Sequence, residues 1–370
     1  MSQSRFSLSR AWRGIDQTLL FTFFALIAIG VILSFAAGPA AAERRGIADP
    51  FYYLYRHGAF SVLSAIIVLV LATFSVRDVR RLAGLGLLCS LGVMLAIPFI
   101  GYEVNGAARW IRFGGFSLQP SEFLKPSFIV IAAWLFAEES RGEPVPGRLI
   151  ALGIFLFSVA LLILQPDFGQ TVLLGAIFGA MLFAAGLSMM WTVGLGVVAG
   201  AGAFAAYVFL PHVAARIEGF LNPEQGAQTE FALEAISRGG LIGVGPGEGE
   251  IKRILPEANT DFVFSVAAEE YGLIASLAII GLYAILFARA WMNAMKLNDH
   301  FVQLATAGLA LQFGLQALIN IGVNLNIIPP KGMTLPFVSY GGSSMLALAY
   351  GAGLLLALTR RRPGAYSMNV

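Results

Sequence analysis

Asp261 ends a polar run, Pro256-Glu257-Ala258-Asn259-Thr260-Asp261, that leads straight into an apolar stretch opening at Phe262. A carboxylate at such a boundary is partly desolvated, which raises its pKa and suits it to accept a proton. Asp and Thr are also ordinary N-cap residues, so position alone leaves both roles open. Deeper in the same stretch stand Glu269 and Glu270, about two helical turns in. Carboxylates at that depth rarely face lipid and mark an interior polar site. Upstream, Gly239 to Gly249 holds six glycines in eleven residues. Such a run can turn backbone N–H groups toward an anion such as a pyrophosphate, although without a strand before it and a helix after it a plain turn is an equal reading. Lys252 and Arg253 follow directly.

Further cations and acids lie elsewhere in the chain. Arg109 and Arg112 flank Trp110, as an anion clamp or as snorkelling anchors of an aromatic belt. Glu122 and Lys125 are spaced to pair along a helix. Asp167, in Gln165-Pro166-Asp167-Phe168, can serve a site or cap a helix. Asn320, Asn324 and Asn326 bring amides near the end of an apolar segment. Lys331 follows Pro329-Pro330, and Ser343 lies in the small-residue run Ser339-Tyr340-Gly341-Gly342-Ser343-Ser344, which permits close helix contact. Together Arg109, Arg112, Lys252, Arg253 and Lys331, with Asp167, Glu257 and Asp261, suit an anionic amphiphile whose head group is processed while its tail stays in lipid.

The elements that must position these residues are membrane helices. The 370 residues are 58% hydrophobic and only 12% charged, with mean hydropathy +0.78, which all but excludes a soluble enzyme. A window of about 19 residues predicts ten spans, starting near Asp16, Gly58, Leu82, Ser121, Gly147, Phe168, Met189, Phe262, Phe301 and Thr334. The expected fold is therefore an all-α polytopic membrane protein, with residues 1–370 as a single membrane domain. Leu19 to Ala37 exceeds the roughly 7 to 15 apolar residues of a secretory signal, so it is expected to remain as the first helix.

With ten spans both termini share a side. That side carries thirteen cations against six acids and the other eleven against fifteen, net +7 and −4. The positive side is expected to be cytoplasmic, with tails at 1–15 and 360–370 and a large extracytoplasmic loop at 211–261 between the seventh and eighth helices. A whole-chain charge of +3 is too small for nucleic-acid binding. The single Cys89 cannot form an intrachain disulfide, and the three histidines have no metal-ligand spacing. The amphipathic stretch Thr229 to Ile236 is expected to be a short helix at the membrane surface, with Phe231, Leu233, Ala235 and Ile236 on its apolar side.

In these blocks the chain closely resembles the SEDS family (shape, elongation, division and sporulation), whose division and elongation branches are FtsW and RodA. The resemblance is carried by Asn105 to Pro126, Gln165 to Thr171, Ser237 to Gly249, Pro256 to Glu270, and Lys331 to Ser344 with its Pro-Phe-Val-Ser-Tyr-Gly-Gly-Ser-Ser core. Pro330-Lys331-Gly332-Met333 and Pro256-Glu257-Ala258 look more like the division branch. It implies a peptidoglycan glycosyltransferase of the bacterial inner membrane, at the division septum, that polymerises lipid II. Asp261 maps onto the family's essential aspartate, and Arg109, Lys331 and more weakly Lys252 onto its mouth cations, with Glu257, Asp167 and Ser343 as further substrate-side residues. A divalent cation, Mg²⁺ or Mn²⁺, bound through Asp261 is an expected cofactor, with no organic one. The implied partners are a class B penicillin-binding protein, packed near the eighth and ninth helices, other divisome membrane proteins and membrane lipid. No Ser-x-x-Lys motif is present, so crosslinking falls to another protein. Asn259 stands where the family often has His, and Gln170 is inserted in its Gln-Pro-Asp-Phe-Gly-Thr order. An elongation polymerase and a lipid II flippase are the alternatives, the latter resting on Glu269 and Glu270.

Overall fold

The computed structural model describes residues 12, 14–104, 107–113, 116–209, 213–215, 218 and 227–362. Most of both expected tails and the first part of the expected 211–261 loop lie outside the described residues. Seven helices precede the large loop: α1 Gln17–Arg44, α2 Tyr52–Leu71, α3 Val76–Ile100, α4 Pro120–Ser140, α5 Gly147–Leu164, α6 Phe168–Ala184 and α7 Met189–Phe209. The loop contains α8 Ala227–Gly239 and α9 Ile251–Ile254, and α10 Val263–Lys296, α11 His300–Asn324 and α12 Gly342–Thr359 follow. Seven of these helices are long and apolar enough by length and composition to cross a membrane. The other three long helices are α4, which opens on Glu122, Lys125 and two prolines, α6 with 17 residues and α7 with 21. This is a multi-pass helical membrane protein, with long helices at all ten predicted places.

The starts shift where ends are polar. Helices α2 and α3 begin before their hydropathy does, because Arg56 early in α2 and the Ser75–Asp78 capping box of α3 are polar features near their starts. Of the predicted apolar side of α8, Ala235 is buried and Phe231 and Ile236 pack half-buried against the core, whereas Leu233 is 41% exposed and the small residues Ala232 and Gly239 complete the buried side. Small residues were selected there because α8 lies directly on α10. A Cβ at Gly239 would stand 1.9 Å from the Ala268 carbonyl oxygen.

Helix α12 is apolar around its whole circumference and buried along its length, so it sits at the centre of the bundle. It packs on α2, α4 and α11. Phe23, Phe313 and Phe337 form an aromatic cluster beside it, with ring centroids 5.3 to 6.1 Å apart. The connection after α3 departs from the all-α expectation. It folds as a three-stranded antiparallel meander, β1 Tyr102–Val104, β2 Ala107–Phe113 and β3 Phe116–Leu118, pairing Tyr102 with Trp110 and Arg112 with Ser117. Aromatic and β-branched residues in β2, with Asn105-Gly106 and Gly114-Gly115 in the sequence between strands, carry that signal.

Helix α10 is broken at Gly272, whose φ of 77° and ψ of −174° leave the helical region. The freed backbone groups are taken up by the glycine-rich loop. The carbonyls of Glu269 and Glu270 accept from the N–H groups of Val244 (2.9 Å) and Gly245 (3.1 Å). The N–H groups of Leu273 and Ile274 donate to the carbonyls of Gly240 (2.9 Å) and Leu241 (3.3 Å). The loop thus lies in the break and replaces the helix's own hydrogen bonds. An added Cβ at Gly272 would stand 2.4 Å from the Gly243 nitrogen, at a φ that L side chains rarely adopt. Gly272→Ala should therefore destabilise the protein by about 1–3 kcal/mol. Gly281→Ala, where an added Cβ meets nothing within 4 Å, should not. Equal thermal midpoints of the two variants in detergent would show that the break is not required.

Candidate functional site

Asp261 lies two residues before α10, in a short turn rather than in the helix, and the N-cap of α10 is Phe262, not the Asp261 that its position in the sequence suggested. Its N–H donates to the Glu257 carbonyl (3.1 Å). Its own carbonyl accepts from the side-chain amides of Asn320 and Asn324, each at 2.9 Å. Both asparagines are buried, on α11. Asn320 also donates to the Met333 carbonyl (2.7 Å), and the Asn324 oxygen accepts from the N–H and hydroxyl of Ser265 (3.0 and 2.7 Å). Two amides therefore fix the backbone of Asp261 against the first turn of α10 and against the segment before α12.

That segment, 333–341, is irregular, whereas the tenth helix was expected to start near Thr334; α12 starts at Gly342. Met333, Leu335, Phe337, Val338 and Ser339 are nevertheless buried. Pro336 lacks the donor that a helix needs, and surrounding side chains satisfy the backbone in its place. Gln316 donates to the Thr334 carbonyl (3.1 Å) and Tyr283 to that of Pro336 (2.6 Å). Ser339 accepts from Leu335 N–H (2.8 Å) and donates to the Thr260 carbonyl, and Tyr340 N–H donates to the Asn259 carbonyl (2.9 Å). The segment is thereby tied to both residues that precede Asp261.

Lys331 precedes Gly332, the residue that lies against Asp261. A Cβ at Gly332 would lie 3.8 Å from Asp261 Oδ2, so the carboxylate rests against this glycine. On the other side, Lys331 packs on the first turn of α6, where a Cβ at Gly169 would lie 2.9 Å from the Lys331 carbonyl oxygen. Partial burial holds the Lys331 ammonium below the usual lysine range through desolvation. Beside Gly169, Asp167 caps α6 through Gln170 N–H (3.4 Å) and accepts from Gln119 (3.1 Å). Desolvation pushes its carboxyl above the usual range, against the pull of the nearby Arg109. Arg109, from β2, donates to the carbonyls of Gln165 (2.8 Å) and Pro166. Asp261, Lys331, Asp167 and Arg109 thus form one connected region at the ends of α6, α10 and α12.

Other predicted site residues lie elsewhere. Lys252, expected at the mouth, is buried, and its ammonium pairs with Glu270 and donates to the Gly247 carbonyl (3.0 Å). The glycine-rich run offers no cradle for an anion, because Glu270 accepts from Gly247 N–H (2.9 Å) and Glu269 from those of Glu250 (2.9 Å) and Ile251 (3.0 Å). Glu269 and Glu270 hold this loop, which removes the polar pathway that a transporter reading drew from them. Exposed Glu257 pairs with Arg45 (3.2 Å) and accepts from the Thr260 hydroxyl (2.8 Å). Ser343 is buried in the first turn of α12, where its neighbour Ser344 bonds the Thr334 hydroxyl (2.8 Å). Arg112 stacks over Tyr102, 4.3 Å from the ring centroid. Glu122 and Lys125 form the expected pair, buried at 2.8 Å, and the inserted Gln170 donates to Glu122 (2.6 Å).

Comparison with known proteins assigns this arrangement. Residues 17–363 match the family FTSW_RODA_SPOVE, described as cell cycle protein. The chain belongs to the FtsW/RodA/SpoVE family. A Caulobacter vibrioides relative named "Probable peptidoglycan glycosyltransferase FtsW" is 52% identical over 367 residues, covering 99% of this chain and 94% of that protein. One of the same name from Trichlorobacter lovleyi is 37% identical, covering 93% of each. A solved structure titled "Structural coordination of polymerization and crosslinking by a peptidoglycan synthase complex" superposes with TM-score 0.78 at 31% identity, over 94% of this chain and 98% of that one. The rod shape determining protein RodA of Thermus thermophilus gives 0.69 at 29% identity, over 94% and 97%.

Within this family fold, the positioning amides carry a signal that the sequence reading did not use. Gln312, Gln316, Asn320 and Asn324 recur every fourth residue on α11, one polar stripe on an otherwise apolar helix. Asn320→Leu would strip a donor from two backbone carbonyls and should cost about 1–3 kcal/mol. Leu318→Ala, at a 66% exposed position on the same helix, serves as the control. An Asn320→Leu protein as resistant to heat as the control would sink the positioning role.

Proposed function

We propose that this chain is a peptidoglycan glycosyltransferase that polymerises lipid II, with Asp261 as general base. The observation that carries the reading is the placement of the Asp261 carboxylate against Gly332, next to Lys331, with its backbone locked by two buried amides. Asp261 takes the proton of the acceptor sugar's 4-hydroxyl. The hydroxyl oxygen bonds to the anomeric carbon of the donor, and the bond from that carbon to the pyrophosphate oxygen breaks with inversion. The undecaprenyl pyrophosphate that leaves is strongly anionic, so preorganised cations lower the barrier. Lys331 and Arg109 are assigned to this role, and Asp167 acts as the carboxylate that orients the Arg109 side of the site. Among the described residues no three His, Cys, Asp or Glu side chains converge on a metal position. A Mg²⁺ or Mn²⁺ ion would therefore be held by Asp261 with water and phosphate oxygens, and would supply charge neutralisation.

A base of this kind contributes about 10²- to 10⁴-fold. Asp261→Asn should lower glycan polymerisation from labelled lipid II by that factor while leaving the thermal midpoint unchanged, since Asn has the size and shape of Asp and the N-cap of α10 is Phe262. Substantial polymerisation by the folded variant would remove Asp261 from the mechanism.

The charge asymmetry supports an orientation in the inner membrane with both termini cytoplasmic and the Asp261 end outside. In a Cys89→Ser background, Glu248→Cys should react with an impermeant maleimide in intact cells and Arg77→Cys only after lysis. The opposite pattern would invert the protein. The Lys331-Gly332 sequence and the FtsW-named relatives support a septal role. A class B penicillin-binding protein, among other divisome membrane proteins, is the assigned crosslinking partner. It should co-purify with the chain; full-rate polymerisation without any such protein bound would refute the partnership.

A further inference from the structure

At the opposite end of α1 from Arg44 and the Lys252 loop, a cavity of about 300 Å³ is lined by Asp16, Arg289, Asn293, Lys296, Thr359 and Arg361. The polar groups in it are unevenly used. Asp16 is fully engaged: Oδ1 caps α1 through Leu19 N–H (3.1 Å), and Oδ2 accepts from Arg289 Nε and Asn293 Nδ2, each at 2.9 Å. The Thr359 hydroxyl donates to the Leu355 carbonyl (2.9 Å). Lys296 and the Arg361 guanidinium have no hydrogen bond or ion pair among the described residues, and Arg361 is held only by its backbone, through Gly14 (2.8 Å). Three cations thus face one committed carboxylate, leaving a net charge of +2 in a concave space.

The helix that supplies two of these cations continues the site outward. Ile285, Arg289, Met292 and Lys296 recur at helical spacing along one stripe of α10, and Ile285 and Met292 are each 48% exposed. An apolar track on a membrane-facing helix therefore ends in a cationic cavity. A free anion would use only the cavity, whereas an anionic phospholipid would use both features, its phosphate at Lys296 and Arg361 and an acyl chain along Ile285 and Met292. The volume is at the lower end of small-molecule sites, roughly 300–1,000 Å³, and matches a head group rather than a whole amphiphile.

We propose that this cavity is a binding site for the phosphate head group of an anionic phospholipid, on the face of the protein away from Asp261. It does not depend on the enzymatic reading, and its test does not use activity. The protein is reconstituted in nanodiscs of phosphatidylcholine with a minor share of phosphatidylglycerol, then released and examined by native mass spectrometry for retained lipid. Lys296→Ala/Arg361→Ala should lower phosphatidylglycerol retention about 10-fold, the effect of about 1.4 kcal/mol. Arg77→Ala/Arg81→Ala removes the same charge from exposed positions at the start of α3 and should leave retention unchanged. Both double variants spare the Asp16–Arg289–Asn293 contacts, and the single Lys296→Gln should show an intermediate loss if the double variant folds poorly. Equal retention in all variants, or equal loss in both doubles, would overturn the site in favour of diffuse charge attraction. Displacement of the lipid by inorganic phosphate alone would overturn the lipid assignment and leave a free-phosphate site.

Discussion

A backbone N–H or C=O inside hydrocarbon has no water to bond, so any chain that leaves the helical path there must be satisfied by other protein groups. Among the described residues two segments leave that path, 333–341 and the break at Gly272, and both are buried or bridged by protein. The first is satisfied by Gln316, Asn320, Tyr283 and Ser339, the second by the backbone of the loop that lies across it. The candidate site exists because of these repairs. Asp261 is placed by Asn324 and by Asn320, whose amide also serves the 333–341 segment, and Lys331 arrives on the chain that enters it.

The long helices were legible in the sequence because span length and hydropathy are local properties. So was the position of Asp261, where polarity changes abruptly. What was not legible is which partner each polar residue takes. Lys252 and the glycine run look like an anion site in sequence, and only the proximity of Glu269 and Glu270 in the folded chain shows that they are already committed to each other. The break at Gly272 was hidden by unbroken hydropathy on both sides of it. Segment 333–341 was read as helix for the same reason, since buried irregular chain and buried helix share one composition.

Two buried acids, Glu122 and Glu270, are paired with buried lysines, while Asp167 and Glu269 accept from neutral N–H donors. Glu122 with Lys125 and Glu270 with Lys252 are each closed off from solvent. Desolvation makes such pairs weak contributors to stability compared with apolar packing, but breaking one leaves an isolated charge in the interior, at a cost of about 3–5 kcal/mol. They act as register marks. Glu122 fixes α4 against α6 through Gln170, and Glu270 fixes the loop against α10.

The way the loop completes α10 also bears on how the chain enters the membrane. Glu269 and Glu270 are translated after the loop that bonds them, so their partners, the Lys252 ammonium for Glu270 and backbone N–H groups for both, are already synthesised when this helix is made. Without those partners, two carboxylates and several open backbone groups would have to enter lipid, each costing about 2.5–3.5 kcal/mol for an acid near the centre of a span. The half of α10 before Gly272 and its preceding loop are therefore one folding unit, since neither has its buried polar groups satisfied without the other.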